Sequence, residues 1–349
     1  MVAARTPRAC LAQMASVAPA RLGHLVSGVR RLALVGLAKN TGKTETLTTI
    51  LAEHAAAGVA VGVTSIGRDG EERDVIDARI AKPRVHLREG SLVASTGDLL
   101  TASALAHERL EQTGVRTPLG EVVIARLSEP GAVEIAGPSA AADVRAVSEA
   151  MEALGAQQVL IDGAIDRRAA SSPAVADGLV VATGAVLARE LDAVVAATAR
   201  AVDVIRLPQS QRDRGGDGTI SVGRELALRG EASQIAALLR THPGAHTLRI
   251  NGALSEGFLD GLLAARRERA GRELEIVIAD PTRAFLTRRG PRWYAKAGLS
   301  LAVLATIDLR AITVNPVAPM SHSFDSLELC ERIAAAVGEI PVVDVRAPA

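Results

Sequence analysis

The sequence predicts an α/β protein with a doubly wound, mostly parallel sheet, and three observations support this fold class. Short runs of apolar, mainly β-branched residues recur along the chain, and stretches with helical periodicity follow them. The runs are continuous rather than alternating, which is typical of strands covered by helices on both faces. Hydrophobic residues make up 48% of the 349 residues and aromatic residues only 1%, so the core must consist of Ala, Val, Leu and Ile.

Strands and helices are predicted in alternation along the chain. In the first half, the predicted strands are 32–35, 59–65, 121–125, 132–136, 159–162 and 178–182, and the predicted helices are 43–57, 140–154 and 187–201. In the second half, strands are predicted at 247–250, 273–279, 311–314 and 342–345. Helices of this half are predicted at 256–267, from 282–286 onward, and at 326–337.

Composition and charge exclude several classes of protein. The formal net charge is +1, without the basic excess of a nucleic-acid-binding protein. The two cysteines, Cys10 and Cys330, have no companions at metal-ligand spacing, which favours a reducing cytoplasm. No apolar run reaches the roughly 18 residues of a membrane span. Residues 1–30 lack acidic residues, as transit peptides do, but an N-terminal helix is the favoured interpretation.

A phosphate-binding loop is the strongest motif of the sequence. The segment VGLAKNTGKT, residues 35–44, follows an apolar strand and opens a helix, which is the context that a P-loop requires. Backbone N–H groups and the helix dipole would face the phosphates. Lys43 would pair with the β- and γ-phosphates, and the Thr44 hydroxyl would bind Mg²⁺. The further candidates for nucleotide binding in this loop are Gly36, Lys39, Asn40, Thr41 and Gly42.

The spacing within this loop departs from the common P-loop pattern. Five residues rather than four separate Gly36 from Gly42, as in the loops of dethiobiotin synthetases and cobyrinate amidases, which these residues resemble. Since no Asn-Lys-x-Asp guanine-binding motif follows a strand, ATP is favoured over GTP. Lys39 would add a second cation near the phosphates, although a solvent-facing lysine is an equally good interpretation.

Carboxylates at strand ends are the candidates for the metal and the catalytic groups. The apolar run ending at Asp162 would deliver this residue to the carboxyl edge of the sheet, where α/β proteins bind ligands, so Asp162 is the predicted Mg²⁺ partner. The alternative is an aspartate that caps the turn before Gly163. Asp69 and Glu71, in TSIGRDGE, would orient an attacking water, or they belong to a solvated loop.

The domain prediction follows from the loop and from a change in composition. Residues 206–223, RLPQSQRDRGGDGTISVG, are polar and rich in Gly, which is typical of a boundary. We therefore predict an N-terminal extension at 1–30, a P-loop NTPase domain at 31–205, a linker or mobile region at 206–245 and a C-terminal α/β domain at 246–349. Alternatively, the second half completes one large sheet.

Several motifs taken together resemble one protein family. They are VGLAKNTGKT, TSIGRDGE, KPRV with EGSLVAST, LIDGAIDR with SSP, ATGA, and ITVNPVAP with a downstream FDS, and they extend from about residue 35 to residue 345. They resemble the reactivating factor of lysine 5,6-aminomutase and of D-ornithine aminomutase. Within this family, the chain resembles the smaller ATPase subunit, which accompanies a MutS-like ATPase partner.

This resemblance implies a function in lysine degradation. Adenosylcobalamin-dependent aminomutases inactivate when a damaged cobalamin remains bound, and a reactivase uses ATP to release it. Lys43, Thr44 and Asp162 would then hold the nucleotide and Mg²⁺, and Asp69 or Glu71 would sense the γ-phosphate. Two alternatives remain open at this point: an ATP-dependent ligase or kinase of the dethiobiotin or cobyrinate type, and a regulatory protein that binds nucleotide without hydrolysing it.

Overall fold

The computed structural model describes residues 21–66, 84–163, 171–212, 218–266, 273–319 and 321–346. The strands of these residues are β1 (Arg31–Gly36), β2 (Val61–Ser65), β3 (Val85–Leu87), β4 (Leu92–Thr96), β5 (His107–Thr117), β6 (Gly120–Leu127), β7 (Gly131–Val133), β8 (Gln158–Gly163), β9 (Gly178–Gly184), β10 (Thr219–Val222), β11 (Thr247–Ile250), β12 (Leu254–Ser255), β13 (Leu274–Ile278), β14 (Ala284–Phe285), β15 (Leu299–Val303), β16 (Asp308–Asn315) and β17 (Val342–Asp344).

Ten α-helices occur in the same residues. They are α1 (Leu22–Leu25), α2 (Lys43–Ala56), α3 (Gly97–Ala102), α4 (Ala141–Ala153), α5 (Leu191–Ile205), α6 (Arg224–Arg229), α7 (Ala232–Thr241), α8 (Glu256–Arg266), α9 (Pro291–Lys296) and α10 (Ser326–Val337). None of these helices is long and apolar enough to cross a lipid bilayer. The α/β class predicted from the sequence is confirmed.

The main sheet has nine strands in the order β17-β16-β9-β1-β8-β2-β4-β6-β5. Seven neighbouring strands, from β17 to β4, are parallel, and β6 is antiparallel to both of its neighbours. The mostly parallel sheet predicted from the continuous apolar runs is confirmed. Because β1 lies in the middle, the loop that follows it has neighbouring strand ends on both sides.

Helices cover both faces of this sheet. On one face, apolar side chains of α4, α5 and α10 pack against Ala33, Val35 and their neighbours in the sheet. On the opposite face, α1, α2 and α3 pack against Leu32, Leu34 and adjacent strands. Successive residues of β1, all of them buried, therefore belong alternately to two separate cores, one on each face of the sheet. This is expected for a doubly wound arrangement.

In the chain, the strands of a second sheet come between two groups of strands that both belong to the main sheet. Strands β10, β11, β13 and β15 form a parallel sheet in sequential order, with a core of their own. The chain then returns, and β16 and β17 complete the nine-stranded sheet. The strands of segment 246–349, predicted as one C-terminal domain, are therefore divided among the main sheet, this second sheet and a small sheet formed by β12 and β14. The segment 206–245, predicted as a linker or mobile region, contains β10, α6 and α7.

The helix predicted from 282–286 onward is wrong. Asp280 accepts a hydrogen bond from the Thr282 backbone N–H and caps a single 3₁₀ turn at Pro281–Arg283. The chain then continues as β14, which pairs with β12 instead of extending the turn. A capping aspartate followed by proline is the signature of a helix start, so the local pattern could not exclude a longer helix.

Candidate functional site

The candidate site is the loop from Gly36 to Thr44, which connects the central strand β1 to α2. Two of its residues adopt positive φ angles, Asn40 at 62° and Gly42 at 85°. Gly42 immediately precedes the first residue of α2, so the left-handed conformation turns the chain directly into the helix. We call residues 36–44 the phosphate loop, after the function that the sequence predicts for them.

Most backbone N–H groups of the phosphate loop have no hydrogen-bond acceptor among the residues that the structure describes. Leu37 N–H donates to the Ala182 carbonyl over 2.8 Å, and Thr46 N–H donates to the Gly42 carbonyl over 2.9 Å. Between these two, no N–H of residues 38–45 has an acceptor within the described part of the chain. Consecutive unpaired N–H groups at a helix N-terminus form a site suited to an anion.

Close packing explains the two glycines of this loop. A Cβ atom on Gly36 would lie 2.5 Å from the Thr41 hydroxyl, which itself donates to the Ala38 carbonyl over 3.0 Å. A Cβ atom on Gly42 would lie 3.0 Å from the Cβ of Asn315 and would also have to adopt positive φ. Both positions therefore require glycine for the loop to keep its shape.

Lys43 and Asp162 meet beside the loop. Strand β8 pairs directly with β1, with Asp162 opposite Leu34, so the carboxylate reaches the same edge of the sheet as the loop. The Lys43 Nζ lies 2.6 Å from Asp162 Oδ1, and the two side chains are 25% and 30% exposed. Both groups are therefore partly accessible to solvent beside the loop. Thr44, the next residue, is exposed.

Asn315, at the end of β16, is a site residue whose function the sequence left open. Its side-chain amide donates to the Asn40 carbonyl over 3.2 Å, and its side-chain oxygen accepts from Val317 N–H over 3.1 Å. The side chain is 5% exposed. In the sequence, Asn315 follows an apolar run and precedes a proline within the motif ITVNPVAP. The feature of the sequence that could have identified Asn315 as a site residue is a side-chain amide at the carboxyl end of an apolar strand.

The remaining candidates fall into two groups. Lys39 and Asn40 are exposed, whereas Thr41 is buried within the loop. Asp69 and Glu71 lie outside the described residues. At the end of strand β2, Ile66 N–H donates to the Asp162 carbonyl over 3.0 Å.

The described residues contain no group of three His, Cys, Asp or Glu side chains placed to hold a metal ion. A Mg²⁺ ion in nucleotide sites needs fewer protein ligands, because waters and phosphate oxygens complete its octahedron. A single carboxylate and one hydroxyl, those of Asp162 and Thr44, are consistent with this requirement.

Comparisons of the chain with protein-family models, curated proteins and solved structures gave no match.

Proposed function

We propose that this chain binds ATP with Mg²⁺ at the phosphate loop and is the ATPase subunit of a reactivase for an adenosylcobalamin-dependent aminomutase. The main support for nucleotide binding is the 2.6 Å contact between Lys43 and Asp162, which lies beside a run of backbone N–H groups without acceptors among the described residues. A cation, a carboxylate and free amide donors are the groups that a magnesium–triphosphate complex needs.

Each group would have a separate task. The backbone N–H groups and the positive end of α2 would bind the phosphate oxygens. Lys43 would move from Asp162 to the β- and γ-phosphates, which frees the carboxylate to hold Mg²⁺ together with Thr44. Bound ATP would supply the free energy of phosphoanhydride hydrolysis. In this proposal, Asp69 or Glu71 senses the γ-phosphate.

The aminomutase partner is proposed from the sequence motifs, and their arrangement in the fold is consistent with one shared site. Asp162 belongs to LIDGAIDR, Gly184 to ATGA and Asn315 to ITVNPVAP. A Cβ atom on Gly184 would lie 2.1 Å from the Asn315 carbonyl oxygen, so these two motifs touch. Three separate motifs thus meet the phosphate loop at one sheet edge, which supports treating them as one functional unit.

The proposed reactivation depends on two conformations. The nucleotide state would bias the chain towards one of them, and the aminomutase would bind that conformation more tightly. A MutS-like ATPase subunit is the proposed second partner. The reaction on the aminomutase is then an exchange of damaged for intact cobalamin, without covalent chemistry on the aminomutase itself.

The direct test is recovery of an inactivated enzyme. Lysine 5,6-aminomutase inactivated by damaged cobalamin is incubated with this chain, its MutS-like partner, ATP and fresh cofactor, and activity is measured over time. We expect recovery with the wild-type chain and none with Lys43→Ala, because that variant lacks the phosphate-binding cation. Lys296→Ala is the matched control, since Lys296 is an exposed lysine on α9, and it should reactivate normally.

Two other outcomes would replace this proposal. ATP turnover that is stimulated by a small carboxylate and needs no partner protein would indicate a ligase or kinase of the dethiobiotin or cobyrinate type. ATP binding without turnover, whether or not the aminomutase is present, would indicate a regulatory protein.

A further inference from the structure

A cavity of about 330 Å³ lies between the nine-stranded sheet, α5 and the segment that follows β13. Val35 and Val181 of the sheet form one wall, and Pro281 and Leu286 belong to the opposite side. The sheet face involved is the one that packs against α5, opposite the face covered by α2. We call this space the α5 cavity.

The α5 cavity is lined mainly by aliphatic side chains. Its polar neighbours include two threonines whose hydroxyl protons are already used: Thr282 donates to Asp280, and Thr287 donates to Glu256 over 2.8 Å. These hydroxyls therefore have no proton to offer to a ligand. An apolar molecule could therefore displace water from the cavity without leaving these hydroxyl protons unpaired.

Arg200 is the one charged residue among the described residues that line the α5 cavity. Within the described part of the chain, its guanidinium has no hydrogen bond and no ion pair. The nearest acid along the same helix face, Asp203, is paired with Arg292 over 2.7 Å. Arg200 is partly buried and lines this apolar cavity, and a guanidinium with no partner among the described residues is complementary to a carboxylate, which it can bind in a bidentate manner.

We propose that the α5 cavity binds a medium-chain aliphatic monocarboxylate, with its tail among the aliphatic side chains and its carboxylate paired with Arg200. The size of the ligand follows from the volume. A protein cavity of about 150 Å³ accepts benzene, so about 330 Å³ has room for roughly a dozen non-hydrogen atoms. Octanoate, with ten such atoms, is within this limit.

Calorimetric titration of the full chain with octanoate, in the absence of nucleotide, tests this proposal. We expect binding with a negative heat-capacity change, because an apolar tail is removed from water. Affinity should rise about fourfold for each CH₂ from hexanoate to octanoate. Hexadecanoate should bind more weakly than octanoate, because its tail exceeds the volume of the cavity.

Two variants locate the binding site. Arg200→Gln should weaken octanoate binding about tenfold or more, because a charge-assisted pair is lost, and should leave the weaker binding of 1-octanol unchanged. Ala201→Leu, which fills the cavity from α5, should weaken both ligands. Arg240→Gln removes an exposed arginine from α7 outside the cavity and should change neither.

The proposal is overturned if the wild-type chain does not bind octanoate, or if Arg200→Gln binds it as tightly as the wild type does. Circular dichroism and thermal melting of each variant confirm that the fold is retained. Since no nucleotide is present in these titrations, a negative result leaves the proposal of ATP binding untouched.

Discussion

At the residue scale, Asn315 connects the end of β16 to the phosphate loop through a single buried amide. Its Nδ2 donates to the Asn40 carbonyl, and Asn40 has a positive φ angle that L-residues adopt at some energetic cost. The hydrogen bond therefore holds a strained residue in the middle of the loop. In the proposed nucleotide site, the effect of Asn315 on the ligand would be indirect, so it would be a positioning residue.

Replacement of this amide should weaken nucleotide binding more than it weakens the fold. For Asn315→Ala we expect ATP affinity to fall roughly five- to thirtyfold, because loss of one buried hydrogen bond costs about 1–2 kcal/mol. The measurement is calorimetric titration with ATP and Mg²⁺. Asn251→Ala is the matched control, since Asn251 is exposed after β11 of the second sheet. Unchanged ATP affinity in Asn315→Ala would contradict this function of the amide.

At the element scale, the first turn of α8 is fixed by one buried carboxylate. Glu256 is 8% exposed and accepts hydrogen bonds from the backbone N–H groups of Arg288 and Arg289 and from the Thr287 hydroxyl. Burial opposes ionisation of this carboxyl group, but the hydrogen bonds outweigh it and lower the pKa of Glu256 to about 2. The carboxylate thus ties α8 to the segment before α9.

The lowered pKa of Glu256 predicts a stability loss in acid. A carboxyl group whose pKa is lower in the folded state stabilises the fold above its unfolded pKa of about 4.5. This contribution, at most about 3 kcal/mol, is lost as the pH falls towards 2. The measured quantity is the difference in free energy of unfolding, determined with urea, between the wild type and Glu256→Gln. This difference should be about twice as large at pH 7 as at pH 3.

The control for this comparison is Glu225→Gln, which removes a largely exposed carboxylate from α6. Its effect on the free energy of unfolding should stay within about 0.5 kcal/mol at both pH values. If the difference between wild type and Glu256→Gln were the same at pH 7 and at pH 3, the carboxylate would not be held in its ionised form.

Elements differ in how well the sequence predicted them. The buried parallel strands β1, β8 and β9 were predicted because their apolar runs are continuous. The long strand β5 was missed, because it is polar and none of its side chains is fully buried. It forms through antiparallel pairing with β6 at the edge of the sheet, so its conformation depends on its partner rather than on its own composition.

At the scale of the whole molecule, the candidate site joins segments that are far apart in the chain. The sequence predicted the phosphate loop from its local motif, and it predicted Asp162 from the rule that carboxyl ends of parallel strands share an edge. It did not assign Asn315 to the loop, because strand order cannot be derived from strand–helix alternation. In the observed strand order, β16 lies beside β9, although the strands of the second sheet separate these two strands in the chain.

The central claim is that the phosphate loop binds a nucleoside triphosphate with Mg²⁺. It is tested most directly by calorimetric titration of the purified chain with ATP, with and without Mg²⁺. We predict that the wild type binds ATP more tightly with Mg²⁺, that Lys43→Ala loses about 100-fold in affinity, and that Asp162→Asn loses mainly the gain due to Mg²⁺. Failure of the wild type to bind ATP, or equal binding by Lys43→Ala, would contradict the claim.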